Sequence, residues 1–356
     1  MYKGGAERLV LLAAKALGAD VYTAWRNPES FDPKDFGLEG KFFELGKSRA
    51  NKWARQAALR HRVRWGASRI RGYDAVIFSG DCLDAVRHVR PGALAAYYCH
   101  TPPRYLFDQA DAYERKVTAW LRPAYRSMAA NLREEWLGAL EKVSVVMANS
   151  RNTQKRLRDF AGRQSTLVHP PVDADYFCPD DTVVKGGYYL SFARLASVKR
   201  VDAVVRAFAA TPDLALVLVY GENDPQKEQV LKLAAGRSNI RTMTGVKDDC
   251  LRELIRGAVA NVYVPRDEDF GMSPVEAMAC GVPVIGVAEG GLLETVENDK
   301  TGILLKPDFS DADLIAAVRK LDKKTAAGMA AACRKSALRF SYPQFSKALK
   351  SALGLA

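Results

Sequence analysis

The chain of 356 residues contains no run of about 18 apolar residues, and no basic start leading into an apolar segment. These absences leave no membrane span and no secretory leader to assign. The expected place is the cytoplasm, with contact to a membrane surface but no crossing. Six cysteines (Cys82, Cys99, Cys178, Cys250, Cys280, Cys333) stand far apart without a CxxC pair. That spacing excludes a zinc knuckle or disulfide framework and suits small core residues in a reducing compartment. Of four histidines, His61, His88 and His169 occupy no spacing that suggests chemistry. No GxGxxG follows a strand with an acid about 20 residues on, which argues against an NAD-dependent enzyme.

What is present is ordinary globular material, with 48% hydrophobic and 26% charged residues, at a length that suits about two domains. The excess is cationic: 53 Lys and Arg against 41 Asp and Glu, a net charge of +12. An anionic partner is implied, whether phosphate, nucleic acid or acidic membrane. Residues 1–180 hold 29 basic and 20 acidic side chains, and residues 181–356 hold 24 and 21. The first half therefore carries most of the surplus. From Leu45 to Tyr73 the sequence has Lys47, Arg49, Lys52, Arg55, Arg60, Arg62, Arg64, Arg69 and Arg71, with Trp53 and Trp65 interleaved and no acid. A helix of this kind can lie on anionic lipid through residues 47–71, or be a solvated helix packed by its tryptophans. Nucleic acid is not expected, because no reader motif accompanies the basic residues.

Beyond Gly186, apolar runs alternate with helical patterns. Strands are expected at Tyr188–Ala193, Ala215–Tyr220, Ile240–Thr244, Ala260–Pro265, Pro283–Val287 and Ile303–Leu305. Helices are expected at Val201–Ala209, Pro225–Ala235, Asp248–Gly257 and Pro274–Cys280. Continuous apolar strands between helices predict a parallel sheet covered on both faces. The first half repeats the pattern less cleanly, with strands at Asp20–Trp25, Ala75–Ser79, Leu94–Tyr98 and Val143–Ala148 and long helices at Ser48–Ile70 and Gln109–Leu140. The proline-rich stretch from His169 to Asp180 marks a hinge near residues 170–186. An α/β chain of two Rossmann-like domains facing across a cleft is expected, with ligands at the carboxyl ends of the strands. The first domain is expected at residues 1–178 and the second at residues 179–339, and the helical segment 340–356 carries an apolar stripe, Phe345, Leu349 and Leu353, that needs a surface to cover. Only Met1-Tyr2-Lys3 precede the Gly4-Gly5-Ala6-Glu7-Arg8 turn into a helix. The first strand of the N-terminal domain is accordingly expected to be missing.

The richest stretch is Glu268-Asp269-Phe270-Gly271-Met272-Ser273-Pro274-Val275-Glu276, directly after a buried strand. Ser273 as N-cap, Pro274 at the first helical position and Glu276 three residues after the cap would form a capping box. Gly281 would close the helix. The amides of Phe270, Gly271 and Met272 would form an anion- and hydroxyl-binding nest. Glu276 is open to two readings, helix capping or ligand binding.

Two glutamates separated by seven residues with Phe-Gly between them, followed by Glu276-Ala277-Met278-Ala279-Cys280-Gly281-Val282-Pro283, resemble the signature of retaining glycosyltransferases of family 4, which have the GT-B fold. Gly4-Gly5, Arg194 with Lys199, Gly245-Val246 and Gly290-Gly291 agree in order and spacing. The resemblance implies that Arg194 and Lys199 grip a donor diphosphate and that Gly5 lets backbone amides approach it. Glu268 would contact the donor sugar, and Glu276 would hold ribose hydroxyls. Phe270, Gly271 and Met272 would bind sugar or phosphate oxygens, and Val246 would meet the base. His100-Thr101-Pro102-Pro103-Arg104-Tyr105 is similar to the loop of bacterial O-antigen and exopolysaccharide mannosyltransferases. That similarity makes His100 a donor-sugar contact, with Arg104 and Asp108 as acceptor contacts.

Glu268, His100, Arg194 and Lys199 are thus the expected catalytic set, with no metal and no cofactor beyond the nucleotide-sugar. The implied activity is retaining transfer of a hexose, mannose from GDP-mannose above all, to a polyprenyl-diphosphate-linked saccharide at the inner face of the plasma membrane. Hexose, rhamnose or N-acetylhexosamine from a UDP- or dTDP-sugar is the alternative within that class. A nucleotide-sugar-binding protein without transferase activity is the alternative outside it.

Overall fold

The computed structural model describes residues 4–27, 30–46 and 67–355. By packing, the chain divides into Met1–His169 with Phe345–Ala356, and Pro170–Gln344.

In the first unit, α1 (Gly5–Leu17) buries Leu9, Leu11 and Ala14 and stops at Gly18, whose φ of 63° is the left-handed turn that glycine takes freely. Strand β1 (Val21–Thr23) pairs in parallel with β2 (Phe42–Glu44) as a sheet of their own. The larger sheet is parallel in the order β3 (Ala75–Ser79), β4 (Leu94–Cys99), β5 (Val145–Ala148), β6 (Thr166–Leu167). Tyr97, Cys99, Val146, Ala148 and Leu157 make its core with Leu83 and Leu140. The helices of this unit are α2 (Ala110–Glu114), α3 (Arg122–Glu141) and α4 (Arg151–Ala161). The single helix expected over Gln109–Leu140 is therefore broken, and α3 starts afresh with Pro123 in its first turn. A proline is tolerated there and disruptive inside a helix. The basic stretch 47–71 lies outside the described residues as far as 66, and its last residues join a 3-10 turn, Ala67–Gly72.

The second unit is one six-stranded parallel sheet. Its strands are β7 (Tyr188–Phe192), β8 (Ala215–Tyr220), β9 (Ile240–Thr244), β10 (Asn261–Val262), β11 (Val284–Val287) and β12 (Gly302–Leu305), in the order β12-β11-β10-β7-β8-β9. Helices α5 (Val201–Ala209), α6 (Lys227–Ala234), α7 (Asp248–Gly257), α8 (Met272–Ala279), α9 (Leu292–Thr295), α10 (Asp311–Lys320) and α11 (Lys323–Leu338) connect or cover them. One apolar core holds Val204, Phe208, Leu216, Leu218 and Val262; another holds Leu190, Val217, Val275, Met278 and Val284. In β8 successive residues alternate between these cores, so the run is continuously apolar, whereas the edge strand β9 exposes Arg241, Thr242 and Thr244. The chain builds outward from β7 through β8 and β9, then returns to add β10 on the other side. That reversal makes the carboxyl ends of β7 and β10 the topological switch point, where doubly wound sheets bind ligands. The last helix, α12 (Tyr342–Ala352), buries Phe345 and Leu349.

Candidate functional site

The loop after β7 is anchored from below and from the side. Leu195 is fully buried, its amide donates to Asp224 Oδ2 at 2.8 Å, and the Gly221 amide reaches the same oxygen at 2.8 Å. One carboxylate thus ties the β7 loop to the β8 loop. A 3-10 turn over Ser197–Lys199 follows, and Arg200 then adopts φ 48°. That left-handed conformation is costly for a residue with a side chain. It is held because the guanidinium donates to the carbonyls of Val264, Pro265 and Pro307, each at 2.8 Å, and to Glu289 Oε1 at 3.0 Å. It also lies 4.7 Å from the centre of the Phe309 ring. Arg200 therefore clamps the loop beyond β7 to the segments following β10 and β12.

This clamp presents Lys199. Its Nζ donates to Glu268 Oε2 at 2.5 Å and to the Tyr263 hydroxyl at 2.7 Å, and the hydroxyl donates to the same Oε2 at 2.9 Å. The sequence places Lys199 and Glu268 69 residues apart; the switch point brings them into contact. Tyr263 is buried, and its phenol is held well above its usual range, chiefly by burial and next by the Glu268 charge, with Arg194 opposing. It therefore stays protonated and acts as a donor to Glu268. Arg194 is exposed, and its side chain makes no hydrogen bond or ion pair among the described residues.

The turn bearing Glu268 is fixed by close backbone packing. The Gly291 amide donates to the Glu268 carbonyl at 2.8 Å. Phe270 is buried edge-on to Phe340, with ring centres 5.3 Å apart. Gly271 takes φ 88° as the N-cap, so helix α8 begins at Met272. The expected capping box is absent. Ser273 and Pro274 are already inside the helix, and the Ser273 hydroxyl donates to the Phe192 carbonyl at 3.3 Å, tying α8 to the end of β7. Glu276 lies half-buried in the middle of α8, in neither the capping role nor its geometry. Gly281 does close α8, with φ 74°. The first amides of α8, including that of Met272, have no carbonyl within their own helix, and they sit beside Glu268. Val246, half-buried, follows the end of β9, two strands from β7 and so about 10 Å across the sheet.

In the first unit, His100 directly follows β4. Its Nε2 lies 2.7 Å from the Ser79 hydroxyl at the end of β3. The His100 carbonyl accepts from Asn149 Nδ2 at 2.8 Å and from Thr153 Oγ1 at 3.3 Å. Three strand ends converge on this residue. Burial pushes its imidazole down to about 4, so it is neutral at physiological pH. Arg104 and Asp108 lie on the following loop and grip each other through two nitrogens, at 2.7 and 3.0 Å. They form an i, i+4 pair rather than two separate contacts. Gly5 is the exposed first residue of α1.

Tyr263, Arg200 and Asp224 escaped the sequence reading. Tyr263 alone carried a signal, a hydroxyl within the otherwise aliphatic Val262-Tyr263-Val264. Among the described residues no three His, Cys, Asp or Glu side chains gather as a metal would need.

Residues 181–339 match the model of a family described as Glycosyl transferases group 1. The chain is 27% identical to the mouse (Mus musculus) alpha-1,3/1,6-mannosyltransferase ALG2, over 93% of this chain and 88% of that protein. Among solved structures it superimposes on sucrose-phosphate synthase from Thermosynechococcus elongatus with a TM-score of 0.79 at 20% identity, covering 99% of this chain and 93% of that one. It also superimposes on Anabaena HepE in complex with UDP-glucose, with a TM-score of 0.74 at 20% identity, covering 99% and 96%. The chain has the GT-B fold of two Rossmann-like domains, and the family match together with these relatives makes it a glycosyltransferase.

Proposed function

We propose that the chain is a retaining transferase of family 4 that moves mannose from GDP-mannose to a polyprenyl-diphosphate-linked saccharide. The observation that carries this reading is the contact of Lys199 with Glu268 at the switch point between β7 and β10. A cation and a carboxylate meet there beside the N-terminus of α8. Such a constellation suits a sugar diphosphate, whose phosphates take the cation and amides and whose sugar hydroxyls take the carboxylate. The likeness to the alpha-1,3/1,6-mannosyltransferase ALG2 supports mannose as the sugar.

In this reading Arg194 and Lys199 neutralise the charge that develops on the leaving diphosphate. Glu268 holds the donor sugar, Glu276 holds ribose hydroxyls, and the backbone around Phe270, Gly271 and Met272 holds sugar or phosphate oxygens. His100, neutral through burial, offers the donor sugar a hydrogen-bonding nitrogen without adding charge. Gly5 meets the diphosphate, Val246 the base, and Arg104 with Asp108 the acceptor. The acceptor attacks the face the diphosphate leaves, and a departing phosphate oxygen takes the acceptor's proton, so the configuration is retained without a covalent sugar on the protein and without a metal. The basic stretch 47–71 would hold the enzyme to the anionic inner face of the plasma membrane.

The test is a thermal-shift panel of GDP-, UDP- and dTDP-sugars followed by transfer assays. GDP-mannose is expected to give the largest shift and a product. Lys199→Ala is expected to lower kcat by about 10²–10³-fold, the scale of losing one charge-stabilising donor, with the protein still folded. Turnover of this variant near the wild-type rate would overturn the site assignment. Binding without any product would instead make the chain a nucleotide-sugar-binding protein.

A further inference from the structure

The hydroxyl of Tyr263 is a polar group at this site that neither the motif nor the donor-binding roles require. Its ring follows β10 on the face covered by α8, and only 5% of the residue is exposed. Phenylalanine would fill the same volume. A buried hydroxyl costs free energy unless it is bonded, and here both of its capacities are spent on the two charged residues of the site. Its oxygen accepts from Lys199 Nζ at 2.7 Å, and its proton goes to Glu268 Oε2 at 2.9 Å.

Lys199 is paired with Glu268. A diphosphate, with its greater charge, competes for the same ammonium. Nζ carries three protons, so it can turn one or two of them to phosphate oxygens while still donating to the phenol. Glu268 then gives up an ion-pair partner, but the phenol proton still fixes Oε2.

We propose that Tyr263 is a positioning residue that holds Glu268 and Lys199 in register while Lys199 passes from Glu268 to the donor's diphosphate. This rests on the reading of Lys199 and Glu268 as donor-site residues, and the experiment separates the two.

The experiment compares wild type, Tyr263→Phe, Glu268→Gln and the double variant, using GDP-mannose as donor and GDP as the diphosphate probe. Tyr263→Phe is expected to keep its melting temperature and to bind GDP within about twofold of wild type, because the lysine still reaches the diphosphate. Its kcat is expected to fall about tenfold, since the carboxylate loses its fixed orientation. In the Glu268→Gln background the same substitution is expected to change kcat by less than twofold, because the carboxylate it orients is gone. An equal loss in both backgrounds would show that Tyr263 acts through packing and would overturn the proposal, as would wild-type kcat in Tyr263→Phe. Full activity of Glu268→Gln would instead overturn the donor-site reading itself. If Tyr263→Phe does not fold, Tyr263→Met, a flexible apolar filler, carries the same comparison. If wild type does not turn over GDP-mannose, the cycle is run with UDP-glucose and UDP.

Discussion

Replacing Gly291 with alanine should disable the site through backbone packing. Gly291 has φ −68°, an ordinary right-handed value, so alanine would meet no backbone strain of its own. The obstacle is space. A Cβ built on Gly291 would stand 2.4 Å from the Asp269 carbonyl oxygen and 2.5 Å from Phe270 Cα. Nonbonded carbons first attract at roughly 3.5 Å, so one turn must retreat by about 1 Å. Neither can do so cheaply: Leu292 behind Gly291 is fully buried, Phe270 is 3% exposed, and the Gly291 amide is bonded to the Glu268 carbonyl. The retreat is therefore expected to move the Glu268 turn. Overpacking of this kind costs about 1–3 kcal/mol of stability, and a 1 Å misplacement of a reacting constellation can cost about 10²-fold in rate. The assay pairs urea denaturation with sugar transfer. Stability should fall within that range while kcat falls by about two orders of magnitude, so that at 20 °C a still-folded protein is nearly inactive. Transfer within twofold of wild type at unchanged stability would show that the two turns do not constrain Glu268, and the reasoning would fail.

Two further expectations concern stability. His100, held down to about 4 by burial, refuses in the folded state a proton that the unfolded chain accepts near 6.5. Its contribution is therefore intact above about pH 6.5, declines between 6.5 and 4, and is constant below, with a loss near pH 5 of about 2 kcal/mol. Comparing urea midpoints of wild type and His100→Gln at pH 7 and pH 5 checks this; the variant should lose less than wild type, and parallel losses would refute it. Asn261, 1% exposed in the centre of the second unit's sheet, has neither side-chain amide atom hydrogen-bonded. Asn261→Val should stabilise by about 1–2 kcal/mol, because removing an unsatisfied buried amide outweighs the change in packing. A fall in the urea midpoint would show instead that the amide holds a buried water.

The legible parts of the fold were those with a single physical cause. Ala215–Tyr220 and Ile240–Thr244 coincide with observed strands, and Val201–Ala209 and Asp248–Gly257 with observed helices. A strand between two cores, such as Ala215–Tyr220, is continuously apolar, the edge strand Ile240–Thr244 shows apolar Ile240 and Met243 among β-branched threonines, and helices between a core and solvent are amphipathic. Strand β10 was overestimated. Ala260–Pro265 is apolar but for Asn261 and the Tyr263 hydroxyl, yet only Asn261 and Val262 pair, since the chain leaves the sheet to form the site. Strands β2 and β6, of three and two residues, are too short to show a period. The capping box failed because Gly271, free to take a positive φ, starts the helix two residues before Ser273. At the site, Lys199 and Glu268 were visible as charges in a recognisable pattern. Tyr263 was hidden because an aromatic residue beside a buried strand reads as core, and Arg200 because a cation after a cation reads as solvated.

The electrostatics of the β7 loop also explain why the second half of the sequence needs so little surplus charge. Three consecutive cations serve it, and two of them are already compensated. Arg200 is spent on Glu289 and three carbonyls, and Lys199 is paired with Glu268. Arg194 alone of the three presents its charge to solvent without a partner among the described residues. Its field reaches about a Debye length, roughly 8 Å at physiological ionic strength, so in the proposed function it is the group an incoming diphosphate meets first. Lys199 then changes partners at short range, where the low-dielectric surroundings of the buried Tyr263 ring strengthen the exchange. A site carrying two free cations from the start would repel its own loop and hold any passing phosphate. With Arg194 exposed and Lys199 paired, full anion affinity in the proposed function follows only once a ligand has displaced the Glu268 carboxylate.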